Sequence, residues 1–238
     1  MPHPHLNNWQ RDLSRKESLI LVALFILLFM YYEYLLFSRL SAERYLGQGL
    51  YYLQEGRSTS KEMLLKKSLF YQNALKSFKR SLKLNPYNAD PYYEYGQIIT
   101  EIADDSELSN SLDIGIKKDE NRGLYNLAKP YYEEAILKEP ANAIYHQRLG
   151  SIYDKLSETQ EAEREFRKAV LLDPQNVTIH LYLSQYFLSK NKQSDFLYHL
   201  DKVVQLYKAS LGGGGPLETL QSMVCDFLKR INREDLVR

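Results

Sequence analysis

Histidine and cysteine are the side chains best suited to a metal site or a nucleophile, and this chain of 238 residues has few of them. They are His3, His5, His146, His180, His199 and the single cysteine Cys225. One cysteine excludes an intramolecular disulfide and a zinc site built from several thiolates. His146 and His180 lie one period of the repeat described below apart, so they could form a metal pair or pack at equivalent positions. We expect packing and no metal site.

Two further segments resemble ligand-binding loops only in composition. Residues 104–113 are rich in acidic side chains, but Gly115 is misplaced for a calcium loop and no terminal glutamate follows at the right spacing. Residues 212–215 are four glycines followed by proline rather than by Gly-Lys-Ser/Thr, so they indicate a linker and not a phosphate-binding loop. No Ser/His/Asp or Cys/His set has a suggestive spacing. We therefore expect no catalytic activity and no cofactor.

The charge balance argues against a nucleic-acid partner. The chain has 31 Lys+Arg and 30 Asp+Glu, a formal net charge of +1. Proteins that bind nucleic acids by neutralising phosphates usually carry a basic excess. With 26% charged and 44% hydrophobic residues, the composition is that of a folded globular protein.

An apolar segment near the N-terminus predicts a membrane anchor. Residues 19–30 read LILVALFILLFM, and the apolar stretch continues to Phe37. A helix of 19 residues is about 29 Å long, close to the thickness of a bilayer hydrocarbon core. Trp9 on one side and Tyr31, Tyr32 and Tyr34 on the other are aromatic residues of the kind found at membrane interfaces. We predict an N-terminal tail at 1–17 and a transmembrane helix at 18–37.

Two alternatives to an uncleaved anchor remain open. A cleavable signal peptide has the same basic-then-apolar layout, but Leu40-Ser41-Ala42 lacks the small residues that a cleavage site needs. A buried core helix would show a polar stripe, which residues 19–30 lack. The flanking basic residues are Arg11, Arg15 and Lys16 before the span and Arg39 and Arg44 after it. This bias predicts a single-pass inner-membrane protein with its N-terminus in the cytoplasm and the bulk of the chain outside.

The elements that follow are predicted to be paired helices. Between residues 143 and 174, small residues, aromatic residues and a proline recur at helical spacings: Leu149, Gly150, Tyr153, Ala162, Phe166, Ala169 and Pro174. Gly150 and Ala162 would permit two helices to cross closely, because a larger side chain would separate their axes. Tyr153 and Phe166 would fill the space between the helices. Pro174 would end the second helix.

The second half of this pattern recurs twice upstream. The matching residues are Ala128, Tyr132, Ala135 and Pro140 in one copy, and Ala74, Phe78, Ser81 and Pro86 in the other. The step from Ala128 to Ala162 equals the step from Pro140 to Pro174, and both match the period of about 34 residues that is typical of paired-helix repeats. Asparagine follows each proline by two residues and could cap the next helix. This pattern resembles the tetratricopeptide repeat family, and the resemblance implies an all-α superhelix of stacked helix pairs.

The resemblance also implies a domain organisation. We predict about four tetratricopeptide-like units over residues 42–211, with insertions near 57–72 and 104–124. In the last unit Ser184 stands in place of the glycine and Phe196 in place of the first alanine. A linker at 212–216 is expected to lead into an amphipathic helix at 217–238. That helix would cap the array or act as a detachable partner helix.

The first helices of tetratricopeptide proteins line a concave face that binds extended peptides, so the resemblance implies a protein or peptide partner here. The residues predicted to face this groove are Tyr93, Gln97, Gln147, Ser151, Asp154, Lys155, Leu181, Gln185 and Leu188. The Lys/Asn/Arg set with which chaperone-binding relatives hold a terminal carboxylate is missing. The hypothesis is a membrane-anchored interaction scaffold of a bacterial cell envelope.

A narrower resemblance supplies the alternative. The apolar helix and the later segments LNPYNAD and EPANAIYHQRLG are similar to the tail of bacterial O-antigen ligase and polymerase-type proteins. Those proteins carry tetratricopeptide repeats after a membrane domain with many spans, whereas this chain has one predicted span. This resemblance implies an accessory subunit of an O-antigen or exopolysaccharide ligase, polymerase or export complex, acting in trans and without ligase activity of its own.

Overall fold

The structure is a computed structural model that describes residues 7–112, 121–211, 226–229 and 231. The predictions for the linker at 212–216, for most of the helix at 217–238 and for part of the second insertion lie outside these residues. The α-helices of the described ranges are α1 (Asn7–Ser58), α2 (Leu64–Leu84), α3 (Asp90–Asp104), α4 (Ser106–Ser111), α5 (Asn121–Lys138), α6 (Ala143–Lys155), α7 (Thr159–Leu172), α8 (Val177–Ser189) and α9 (Gln193–Leu211). This confirms the all-α helical repeat.

The helices pack as four pairs: the second half of α1 with α2, α3 with α5, α6 with α7, and α8 with α9. The paired helices are antiparallel. In the first pair, Gly56 lies against Tyr71, Gly49 lies against Phe78, and the Ser38 hydroxyl donates to the carbonyl of Leu84 at 2.8 Å. The extra residues near 57–72 form the end of α1, a short 3-10 turn at Lys61–Met63 and the start of α2. We refer below to α1, α3, α6 and α8 as the first helices.

Glycine sets the spacing within the pair of α6 and α7, as the sequence predicts. A Cβ placed on Gly150 would lie 2.6 Å from the ring of Phe166 and 3.2 Å from the carbonyl oxygen of Ala162. A methyl group does not fit at such distances, so α6 and α7 can approach this closely only because Gly150 has no side chain. Ala162 and Phe166 are themselves buried.

The turns between pairs end and restart helices with the residues expected. The side chains of Asn142 and Asn176 accept hydrogen bonds from the amides of Ile144 and Ile179, both at 3.2 Å, and so cap α6 and α8. This confirms two of the three predicted asparagine caps. Before α3 the cap position is Ala89, and Asn88 accepts from the amide of Asp90 at 3.0 Å. Such bonds satisfy amides that have no partner within the helix.

Helix α1 changes character along its length without a break. Its described side chains from residue 17 to Phe37 are all exposed, and this part contains an 18-residue window with a mean hydropathy of 2.3. Among the described side chains of α1 the first buried one is Ala42, which is 1% exposed, and Leu46 and Leu53 follow in the core. One continuous helix therefore supplies both the apolar segment and the first helix of the first pair.

Candidate functional site

The nine residues predicted to line the groove fall into two classes in the structure. Seven have side chains that reach solvent at least in part: Tyr93, Gln97, Ser151, Asp154, Lys155, Gln185 and Leu188. Gln147 and Leu181 are each only 3% exposed. The structure thus places these two inside the protein, and they cannot present their side chains to a partner there.

The burial of Leu181 has a clear physical cause. Leu181 packs in an apolar cluster with Phe196 and Leu200 of α9 and with Phe227 and Leu228 from the C-terminal segment. Phe227 and Leu228 are 2% and 0% exposed, so this short described segment covers the last helix pair. Gln147 occupies the position on α6 that corresponds to Leu181 on α8, one repeat earlier. The position is therefore buried in both units.

Three of the predicted residues join neighbouring first helices to each other. The Nζ of Lys155 lies 2.7 Å from the Oδ1 of Asp104 at the end of α3. The Oδ1 of Asp154 lies 2.6 Å from the Nζ of Lys190, just after α8. Ser151 accepts a hydrogen bond from the hydroxyl of Tyr182 at 2.7 Å. These contacts define a face made by the first helices, which we call the first-helix face.

Tyr93 contributes an aromatic surface to the first-helix face. Its ring stacks on Tyr145 with a centroid distance of 5.0 Å and meets the ring of Tyr132 edge-on at 6.1 Å. The Tyr145 hydroxyl donates to Asp90 at 3.3 Å, and burial raises the pKa of this tyrosine. Aromatic pairs of this kind add rigidity to a binding surface at a small cost in conformational entropy.

A set of charged residues on the first-helix face was not among the predicted residues. The Nε of Arg57, at the end of α1, lies 3.1 Å from the Oε1 of Glu101 on α3, and the hydroxyl of Tyr71 donates to Glu101 at 2.8 Å. Glu94 of α3 and Arg148 of α6 lie on the same first-helix face, close enough to these residues to interact electrostatically. The Oε2 of Glu94 and the Nε of Arg148 are shielded from water and have no hydrogen-bond partner among the described residues.

These charges act on one another across three helices. Burial raises the pKa of Glu94, Arg57 and Arg148 act in the opposite direction, and Glu101 and Asp90 add to the increase. The net pKa of Glu94 lies above its ordinary value. The sequence contains a signal for these two charges, because Glu94 and Arg148 each lie two residues before the glycine of their unit. Opposite charges at equivalent positions of successive units could have indicated it.

The described histidines His146, His180 and His199 contact residues of their own units. The His146–His180 pair that the repeat spacing could have formed is not among these contacts. The Nδ1 of His146 lies 2.7 Å from Glu165, and the Nδ1 of His180 lies 2.8 Å from the Nδ1 of His199. In both cases the Nε2 contacts the carbonyl of the proline that ends the preceding unit, at 3.0 and 3.1 Å. The spacing therefore reflects equivalent packing in two units.

A cavity of about 420 Å³ opens between α7, α8 and α9. Its floor is apolar, with Phe166, Leu183 and Phe187, and Arg167 and Asp195 lie among its charged residues. Nothing in the structure favours a particular occupant. It contains none of the residues predicted to bind a partner.

Comparison with known proteins identifies the repeat. Residues 143–176 match the tetratricopeptide repeat model, and they comprise α6, α7 and the turn before α8. The chain thus contains a tetratricopeptide repeat within an all-α helical-repeat fold. No curated protein sequence matches the chain significantly.

Several solved structures are similar at low identity. A crystal structure of MamA is 18% identical with a TM-score of 0.47, and the alignment covers 63% of this chain and 80% of that chain. MamA 41-end from Desulfovibrio magneticus RS-1 is 22% identical with a TM-score of 0.46, covering 71% and 96%. The Arabidopsis OM64 TPR domain is 20% identical with a TM-score of 0.43, covering 60% and 90%. At these values the similarities indicate no partner or activity for this chain.

Proposed function

We propose that this chain is a membrane-anchored scaffold of a bacterial cell envelope that holds a protein partner on its first-helix face. Tetratricopeptide domains generally serve as scaffolds for protein–protein interaction, which is the broad function that the repeat at 143–176 supports. The anchor, the partner-binding face and the envelope setting are the specific parts of the proposal. The layer of charged side chains that Glu94 and Arg148 form with Arg57 and Glu101 is the observation that carries the choice of face.

Helix α1 supports the anchor. An exposed apolar surface as long as residues 19–37 would be costly in water, whereas the hydrocarbon core of a bilayer would accommodate it. The continuity of α1 also weighs against signal-peptide cleavage near Ala42. The carbonyl of Ala42 accepts a hydrogen bond from the buried Ser81 hydroxyl at 2.8 Å, and the residue is 1% exposed. A cut there would sever a helix inside a packed pair.

Glu94 and Arg148 support the first-helix face as the binding surface. Both side chains are half-buried, so each keeps some surface that a partner can reach. An extended peptide offers both kinds of partner, because its amides can donate to the carboxylate of Glu94 and its carbonyls can accept from the guanidinium of Arg148. Gln97 on α3 and Gln185 on α8 are half-buried and can donate and accept as well.

The anchor is tested by washing membranes that contain the full chain with alkaline carbonate. An integral protein stays in the pellet at full length, which is the expected result. A soluble product that begins near Ala42 would refute the anchor and establish the signal-peptide alternative. Protease accessibility of the repeats in intact spheroplasts then tests the predicted orientation, with the repeats expected to be cut from outside.

The binding face is tested by replacing its two charged side chains, Glu94 and Arg148, with uncharged ones. The partner is first isolated by pull-down of the full chain from detergent-solubilised membranes. The double variant Glu94→Gln/Arg148→Gln should then lose most of the capture, because a few central contacts carry most of the free energy of an interface. The matched control is Glu161→Gln/Arg164→Gln, which replaces one acidic and one basic side chain on α7. Loss of capture in the control together with full capture in the first variant would reject the first-helix face.

The accessory role in O-antigen or exopolysaccharide assembly rests on sequence resemblance alone. In the structure the segments that carry this resemblance, 84–90 and 139–150, form the turns before α3 and α6 and the starts of those helices. Repeat packing is a sufficient reason for their sequences. Recovery of a polysaccharide ligase or polymerase in the pull-down would nevertheless favour that role over a general scaffold.

A further inference from the structure

We propose that the groove between α1 and the turn joining α2 to α3 binds the headgroup of an anionic phospholipid. This inference rests on the anchor part of the proposed function. It adds a binding site and a ligand class to it: the first helix pair would contact the membrane surface directly instead of extending into water from a flexible tether.

The continuity of α1 sets the height of this groove relative to the bilayer. The apolar segment ends at Phe37, and the next residue, Ser38, donates from its hydroxyl to the carbonyl of Leu84 at 2.8 Å. Leu84 is the last residue of α2, so the turn that follows starts at the height of Ser38. Ser38 lies one residue, or roughly 1.5 Å along the helix axis, beyond the end of the apolar segment. Residues 85–89 therefore lie at the level of the lipid headgroups.

The groove at this level has a volume of about 630 Å³ and combines apolar, aromatic and charged side chains. Leu35 and Leu84 form part of its apolar wall, and Arg39, Tyr87 and Asn88 provide polar groups. Leu35 belongs to the apolar segment itself. The groove is thus continuous with the surface that would contact acyl chains, as a site for a whole lipid molecule requires.

The charges favour an anionic headgroup. Arg39 is exposed and makes no ion pair with the described residues. The Nζ of Lys138, which also pairs with Glu134 at 3.6 Å, lies 5.9 Å from the centre of the Tyr87 ring and so brings a second cation close to the turn, outside the groove itself. The one acidic residue of the groove, Glu43, is approached by the side-chain amide of Asn88 at 3.4 Å. Basic side chains next to a membrane helix attract anionic lipids.

Tyr87 gives the third line of support. It is 81% exposed at the tip of the turn, although tyrosine usually buries its ring. Leu40, which is 61% exposed, lies on α1 at nearly the same height. An aromatic ring with a polar tip is stabilised at the level of the headgroups, where the ring leaves water and the hydroxyl stays hydrated. A membrane surface therefore accounts for both exposed side chains.

The position of the turn is tested by tryptophan fluorescence in the full chain. Trp9→Phe removes the single native tryptophan, and Tyr87→Trp places a new one in the turn. The protein is reconstituted in nanodiscs of phosphatidylcholine containing one third phosphatidylglycerol, with lipids that carry a quencher near the headgroup. We expect strong quenching at position 87. The control is Met63→Trp on the same background, at the other end of α2 and about 32 Å away, which should not be quenched.

The selectivity for charge is tested by native mass spectrometry of the full chain with phosphatidylglycerol and with phosphatidylcholine. Arg39→Gln should weaken retention of phosphatidylglycerol about fivefold, the effect of about one surface cation. Arg44→Gln is the control, because this residue is exposed on the same helix but does not line the groove. Equal retention by both variants, or equal retention of the two lipids by the wild type, would overturn the inference.

The outcomes separate this inference from the proposed function. Release of the chain by alkaline carbonate would reject the anchor itself. A chain that stays in the membrane but shows no quenching at position 87 keeps the anchor and rejects the headgroup site.

Discussion

The two glycines Gly47 and Gly49 allow the packing of the first helix pair to be tested with one matched substitution. Both lie in α1, two residues apart. A Cβ on Gly47 meets no atom within 4 Å. A Cβ on Gly49 would lie 2.3, 2.6 and 2.8 Å from three ring atoms of Phe78. Phe78 is 0% exposed, so its ring is held from all sides.

The expected effects follow from these distances. In either case Gly→Ala favours the helix by roughly 0.5–1 kcal/mol. For Gly47→Ala that gain is the whole effect. For Gly49→Ala the ring of Phe78 would have to withdraw by about 1 Å to reach an ordinary contact of 3.4 Å, and overpacking of this kind costs about 1–3 kcal/mol. We therefore expect Gly47→Ala to be more stable than Gly49→Ala by about 1–3 kcal/mol.

The assay is thermal unfolding of the full chain in detergent, followed by far-UV circular dichroism. A difference of 1 kcal/mol corresponds to about 2–4 °C in Tm for a domain of this size, so the two variants should differ by roughly 2–12 °C. Because they share the same helix, their intrinsic helix propensities cancel in the comparison. Equal melting temperatures would mean that α1 and α2 do not cross at Gly49 and Phe78, and the repeat register would then be wrong.

Further predictions concern the third and fourth helix pairs. Ala162→Leu places a large side chain at a position that is 0% exposed, and it should lower the free energy of unfolding by about 1–3 kcal/mol in the same melt. An unchanged Tm would contradict the close crossing of α6 and α7. The His180–His199 pair predicts a dependence on pH. Burial and the neighbouring His180 lower the pKa of His199 to about 4, so the unfolded chain binds a proton first, and Tm should fall as the pH is lowered from about 6.5 to 4. His199→Gln should flatten this dependence, and an unchanged slope would assign it to other groups.

Much of the architecture could be predicted because its signals are local. Gly150, Ala162 and Pro174 indicate a close helix crossing and a helix end, and each of these depends on the residue's own backbone and volume. The asparagines before α6 and α8 cap helices that begin one residue later. The unbroken apolar run at 19–30 is likewise visible without any knowledge of its neighbours. Recurrence of these local signals in the same order, with a step of 34 residues between two of the copies, then indicated a repeat.

The candidate site was less predictable, because exposure depends on what covers a residue. Helical period places Leu181 on the first-helix face, but Phe227 and Leu228, which follow α9 in the sequence, help to bury it. The unpaired state of the buried Glu94 and Arg148 atoms is equally non-local. It depends on which side chains of neighbouring units reach them, and the insertion near 104–124 separates their units in the sequence.

The sequence by itself determined the helical repeat, the small residues that space it and the apolar segment that precedes it. The tertiary structure alone decided which positions of the first helices remain accessible. It also brought Ser38 to Leu84, 46 residues away, and so placed the α2–α3 turn beside the end of the apolar segment. The physical reason is that periodicity specifies which face of a helix is buried, whereas the neighbour that buries it is chosen by contacts between distant parts of the chain.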